Sequence, residues 1–246
     1  MKITIFNGSP KANHGNTHVM VENFLQGAAE AGAEVEQVFL AKHKMHPCTS
    51  CKSCWERTPG KCAQRDGMDE LVPKIISSDI IGFATPVFVD NVTGIMKNFM
   101  DRMIVIGDPH WEKDELGECR HLLRYEKPAK FVAISNCGFP EQSHFQVLRL
   151  LFRRMARNLN WQLAGEIYRG GGALLKSTDE NMQPYLNNYK KLLVRAGREI
   201  ILYPEITEET TLQLEKPLLP LDNFTDIFLN RVNQISDERI ARLQKS

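Results

Sequence analysis

Five short apolar runs, each followed by a segment of helical apolar periodicity, constrain this chain more than any other feature. Residues 2–7 (KITIFN), 35–40 (VEQVFL), 79–84 (DIIGFA), 131–135 (FVAIS) and 163–168 (LAGEIY) read as strands. The unbroken apolar run 79–84 predicts a strand buried on both faces. Between the strands, residues 17–31, 68–77, 93–106, 143–159 and 185–202 space their apolar positions as helices do. Val19, Val21, Phe24, Leu25 and Ala28 share one face of the first; Ile95, Met96, Phe99, Met100 and Met103 share one face of the third and read as core. Strand–helix alternation implies an α/β sandwich, a parallel sheet covered on both sides by right-handed crossovers. With 246 residues, 42% of them hydrophobic, the chain sustains such a core.

Three strands end in loops of distinctive chemistry. The first runs into GSPKANHGNT at residues 8–17, where backbone N–H groups, hydroxyls and a helix N-terminus suit a phosphate, with Lys11 adding charge. It is neither G-x4-G-K-[ST] nor G-x-G-x-x-G, and an ordinary capped connection is the alternative. The third strand ends in Thr85-Pro86-Val87-Phe88 and the fourth in Asn136-Cys137-Gly138. Loops at carboxyl ends of parallel strands are where open α/β sheets bind ligands. A phosphate loop after the first strand makes 2-1-3-4-5 the economical strand order.

Residues 107–127 are polar and long for a connection, as lids and interfaces are. Beyond Pro204 the alternation stops: 205–221 reads as irregular, and 222–243 as one amphipathic helix with a break near Ser236. The organisation expected is one domain over 1–203, with a cysteine-rich insertion at 43–68 and a candidate lid at 107–127, followed by an extension over 204–246. Arg149, Arg153, Arg154 and Arg157 cluster on one helix and read as a solvated basic face.

Four of the six cysteines, Cys48, Cys51, Cys54 and Cys62, form a C-x2-C-x2-C-x7-C array that can close on one compact ion or cluster. A net charge of +1 gives no global field for nucleic acid. No apolar span reaches membrane length, and residues 1–10 do not read as a signal peptide. The chain therefore reads as cytoplasmic, where clustered cysteines serve metal or redox chemistry more often than disulfides. No Ser-His-Asp or Cys-His arrangement is readable, so no catalytic acid, base or nucleophile is assigned, and the seven histidines make no ligand set.

With these pieces assembled, the chain resembles the flavodoxin-like NAD(P)H-dependent FMN reductases, and more closely their iron-sulfur flavoprotein branch. The resemblance covers about residues 1–203 and rests on GSPKANHGNT, CTSCKSCWERTPGKC with RDGMDEL, ATPVF with IMKNFMDR, and SNCGFPE. It implies FMN at the switch point of the sheet, its phosphate near Ser9, Lys11, Asn16 and Thr17. Thr85, Pro86, Val87 and Phe88 would line the isoalloxazine and ribityl chain, with Asn136, Cys137 and Gly138 at the pyrimidine side. The first loop is about one residue longer than the common form, through Ala12 to His14.

In the iron-sulfur branch the cysteine motif holds a 4Fe-4S cluster, and the x7 gap falls at the upper edge of the branch's range. Zinc and a metal-free thiol loop stay open beside it. The activity implied is electron transfer from NAD(P)H to a quinone, flavin or similar small-molecule acceptor. An electron carrier fed by a ferredoxin-like donor is the alternative; a regulatory flavin- or zinc-binding module without turnover is a third. A homodimer or homotetramer is expected.

Overall fold

Burial singles out the central strands. β1 (Lys2–Asn7) is buried at every position after Lys2, so its backbone must pair on both sides. After α1 (Asn16–Glu30), β2 (Glu34–Phe39) pairs with it in parallel on one edge. The cysteine-rich stretch contributes one short turn of helix, α2 (Ser53–Glu56), and leads to α3 (Met68–Ser77). β3 (Ile80–Pro86), buried at its first six positions, takes the other side of β1. α4 (Gly94–Arg102) then leads to an antiparallel hairpin, β4 (Gly107–Lys113) and β5 (Cys119–Leu123). β6 (Lys130–Asn136), α5 (Gln146–Asn158), β7 (Gln162–Arg169) and α6 (Gln183–Leu202) complete the repeat.

The computed structural model describes residues 1–125, 130–219 and 224–244. Its five-stranded sheet has the order β2-β1-β3-β6-β7. Counting sheet strands alone this is 2-1-3-4-5, the flavodoxin-like order, with the hairpin inserted between the third and fourth. Among the described residues no helix is long and apolar enough to cross a membrane.

Each face of the sheet carries its own core. On one, Phe6 stacks on Phe99 at 4.8 Å and Phe83 meets Phe131 edge-on at 5.2 Å, beneath α3, α4 and α5. On the other, Ile3, Ile5, Ile80, Val132 and Ile134 meet Met20, Phe24 and Leu193 of α1 and α6. Those two helices touch backbone to backbone. A Cβ on Gly27 would lie 1.8 Å from the Val194 carbonyl oxygen, and one on Gly197 would lie 1.9 Å from that of Phe24.

Four expectations change. The helix expected over 93–106 is α only to Arg102 and tightens to 3-10 over Met103–Ile106 as the chain turns into β4. The stretch 205–221 is not wholly irregular. α7 (Glu208–Glu215) starts at Thr207, whose side chain accepts from the Thr210 N–H. Buried Glu199 of α6 accepts from Thr207 N, Thr207 Oγ1 and Thr210 Oγ1 at 3.0, 3.0 and 2.7 Å. That anchor spans helices, so no local periodicity signals it. α8 (Phe224–Leu243) runs unbroken through Ser236, whose hydroxyl returns to the Val232 carbonyl at 2.9 Å. Finally, the arginines of α5 are paired rather than free. Arg149 meets Glu215, Arg153 meets Glu166, Arg154 meets Glu118, and Arg157 meets Asp114 and Glu118.

Asp114 and Glu118 belong to the hairpin region, so these pairs clamp residues 107–123 onto α5. Residues 126 and 127 of the expected lid, and 220–223, 245 and 246 of the expected extension, lie outside the described residues.

The glycine contact sets a prediction. Gly27→Ala or Gly197→Ala forces two helix backbones apart and should lower stability by about 3 kcal/mol, because neither carbonyl can rotate away. Urea unfolding measures this; a loss below about 0.5 kcal/mol would contradict the packing.

Candidate functional site

The three loops singled out in the sequence meet at the carboxyl edge of the sheet, stitched by buried side chains. Gly8 N donates to the Ala84 carbonyl at 2.8 Å, and Thr93 Oγ1 donates to the Gly8 carbonyl at 2.7 Å. Thr85 Oγ1 accepts from Thr93 N at 3.2 Å, and Ser135 Oγ donates to the Thr85 carbonyl at 2.6 Å. Asn136 Nδ2 donates to Thr17 Oγ1 at 2.7 Å, joining the third loop to the first, while Val87 N donates to the Asn136 carbonyl at 2.8 Å. Ser9, Thr17, Thr85, Asn136 and Cys137 are buried; Asn16, Pro86 and Val87 are half-buried; Lys11, Phe88 and Gly138 are exposed. Burial pushes the Cys137 thiol up, which keeps it protonated and inert.

The first loop has the properties of an anion cradle. α1 starts at Asn16 behind Gly15, with no side-chain cap and no acidic residue in its first turn. Its positive end therefore faces the loop without local neutralisation. Asn7, fully buried at the base of the loop, accepts from Ser9 N at 2.9 Å but leaves its Nδ2 donor without a partner. A buried amide donor left empty costs on the order of 1–3 kcal/mol, as sites awaiting a ligand do. Ala12 closes the loop with φ +44. After the third strand, Val89 and Asp90 take φ values of +46 and +58 at the tip of the turn closed between Phe88 and Asn91. A β-branched residue in that region is strained, and such strain collects at functional sites. These residues fit a flavin phosphate and a flat ring above it.

The cysteine array lies elsewhere. Cys48, Cys51, Cys54 and Cys62 line one small cavity with Arg102, Ile104 and Val105, and no residue of the three loops shares it. Burial pushes the Cys54 thiol up, and the charges of Cys62, Cys48 and Cys51 add to that push. Exposed Cys51 is shifted the other way by its hydrogen bonds from Ser53. Among the described residues no three His, Cys, Asp or Glu side chains gather tightly enough for a single metal ion. Four thiols spaced around a cavity fit a larger iron-sulfur group in ligand type and number.

Two residues without an assignment in the sequence hold the array. Arg102 grips Asp66 at 2.8 and 3.1 Å and donates to the His46 carbonyl at 2.6 Å. Both residues sit in motifs that carry the resemblance, RDGMDEL and IMKNFMDR, but only the fold shows that they meet. Trp55 Nε1 reaches the Ile104 carbonyl at 2.9 Å, and its ring packs on His121 of the hairpin at 4.9 Å.

A family model, NADPH-dependent FMN reductase, matches residues 1–159. The chain belongs to that family. Among curated relatives it is similar to the "Iron-sulfur flavoprotein" of Archaeoglobus fulgidus, 40% identical over 107 residues, 44% of this chain and 47% of the relative. The chain thus spans about half the length of the curated relatives it matches. Its fold is similar to an FMN-dependent NADH-azoreductase from Bacillus anthracis, with a TM-score of 0.59 and 19% identity over 81% of this chain and 99% of that one. It is also similar to an NAD(P)H:quinone oxidoreductase from Methanothermobacter marburgensis, with a TM-score of 0.56 and 15% identity over 81% and 98%. At such identities the likeness speaks for the flavodoxin-like fold alone.

Asp66 makes the array acid-sensitive. Burial alone would raise its carboxyl, but the Arg102 hydrogen bonds, the N–H groups of His46 and Met68 and the Arg102 charge outweigh burial and hold it at about 2. A carboxyl lowered by folding stabilises above its unfolded value and loses that contribution as pH falls through its folded one. The loss, about 2 kcal/mol, should fall between about pH 4 and pH 2. Trp55 fluorescence follows it, and an identical acid transition in Asp66→Asn would contradict the assignment.

Proposed function

We propose that the chain is an FMN-dependent oxidoreductase that takes hydride from NAD(P)H and passes electrons to a small-molecule acceptor such as a quinone or another flavin. The observation that carries this reading is the unneutralised N-terminus of α1 beside a buried amide donor with no partner, at the edge where three loops converge. FMN bound there supplies the hydride-accepting ring and the ability to release electrons singly or in pairs.

The chain's own residues bind and orient. Ser9, Asn16 and Thr17 hold the phosphate, and exposed Lys11 adds charge at its rim. Thr85, Pro86 and Val87 form a stiff wall for the ring, with Phe88 as its apolar lip. Asn136, Cys137 and Gly138 close the pyrimidine side, Asn136 already oriented by its bond to Thr17. No side chain acts as acid or base in this reading; a nicotinamide stacked on the ring needs only access. A homodimer or homotetramer accords with the exposed apolar residues Leu229, Val232, Ile235, Ile240 and Leu243 along α8.

The second reading is an electron carrier, and the four thiols around one cavity favour it. Cys48, Cys51, Cys54 and Cys62 would then hold a 4Fe-4S cluster that takes single electrons from a ferredoxin-like donor.

Anaerobic stopped-flow absorbance separates the two. An NAD(P)H reductase bleaches its flavin rapidly with NADPH or NADH. A carrier stays oxidised with either and is bleached by a reduced ferredoxin. Ser9→Trp, which fills the phosphate position, should weaken FMN binding at least 100-fold, about 2.7 kcal/mol; unchanged affinity would remove that loop from the site.

A further inference from the structure

Arg102 carries an inference that the clamp on Asp66 does not exhaust. Its side chain is 1% exposed. Nη1 donates to Asp66 and to the His46 carbonyl, while Nη2 donates to Asp66 and, at 3.3 Å, to Cys62 Sγ. Nε has no partner. Fixing the loop to α4 needs only Asp66 and His46. The sulfur contact is surplus to that task, since a neutral thiol is a weak acceptor and gives a buried guanidinium little in return.

The contact gains its value when sulfur carries charge. A charge-assisted hydrogen bond is roughly twice as strong as a neutral one. Four thiolates around one cavity repel one another and call for a cation inside the same wall. Among the described residues two cationic side chains line the cavity, Lys52 and Arg102. Lys52 is exposed, so only Arg102 acts through a medium of low dielectric.

We propose that Arg102 is the positioning residue of the cysteine array, holding Cys62 Sγ toward the cavity and donating to it the hydrogen bond that raises the reduction potential of an iron-sulfur cluster bound there. The proposal rests on the cluster reading above. Hydrogen bonds to ligand sulfur and nearby positive charge are among the protein's levers on such potentials. The hydrogen bonds of Arg102 go to Asp66, His46 and Cys62, none of them in the three edge loops, so FMN content serves as the folding control.

The test uses full-length protein purified without oxygen and reconstituted with ferrous iron and sulfide. Iron and acid-labile sulfide are assayed first in the unaltered chain, then in Arg102→Gln and Arg102→Lys, and cluster potentials are read by spectroscopic redox titration. The unaltered chain should hold four irons. Arg102→Gln should bind FMN normally and shift the reduction equilibrium about tenfold against the reduced cluster, about 59 mV downward for one electron. Arg102→Lys should recover most of that shift. Should Arg102→Gln lose its iron, retention in Arg102→Lys supports the role equally. An unchanged potential in Arg102→Gln, or equal iron loss in both variants with FMN retained, overturns it. No iron in the unaltered chain removes the cluster reading itself, and this role with it.

Discussion

The carboxyl edge of a parallel sheet leaves strand ends whose backbone groups must find partners where three loops crowd out water. Here small polar side chains supply them. Thr85, Thr93, Ser135, Asn136 and Thr17 bond across the loops rather than along them. Each buried bond contributes about 1 kcal/mol net, and leaving its partner empty costs more. The edge is therefore rigid before any ligand arrives, and Asn7 Nδ2 is the donor this rigidity leaves without a partner. Preorganisation of that kind lets a cofactor bind without ordering loops.

The two helical layers serve this edge differently. α1 and α6 pack with backbone contact at Gly27 and Gly197, which fixes α1 and so the direction of its N-terminus. On the opposite face α4 begins at Thr93, a member of the stitched edge, and ends at Arg102, the clamp of the cysteine loop. One short helix thus ties the two candidate sites together while keeping them apart. The cavity of the array shares no lining residue with the three edge loops.

Much of this was legible from pattern. Strand and helix alternation gave the sheet and its order, because buried parallel strands read as continuous apolar runs and their crossovers as amphipathic helices. The three loops were legible because turn chemistry is local. What escaped was long-range pairing. Glu199 holding Thr207 and Thr210, the hairpin carboxylates on the α5 arginines, and Asp66 on Arg102 join residues distant in sequence or in different elements. A charged residue reads as a solvated face until its partner is known, as Arg153 and Arg157 did. The array's spacing was plain, but its resting place on Arg102 was not.

Parallel titration calorimetry of the flavin-free protein with FMN and with riboflavin tests the central claim most directly. A phosphate site built from the α1 N-terminus and its loop requires one FMN per chain, with riboflavin at least tenfold weaker, about 1.4 kcal/mol. Equal affinity for the two flavins, or no binding of either, would contradict it.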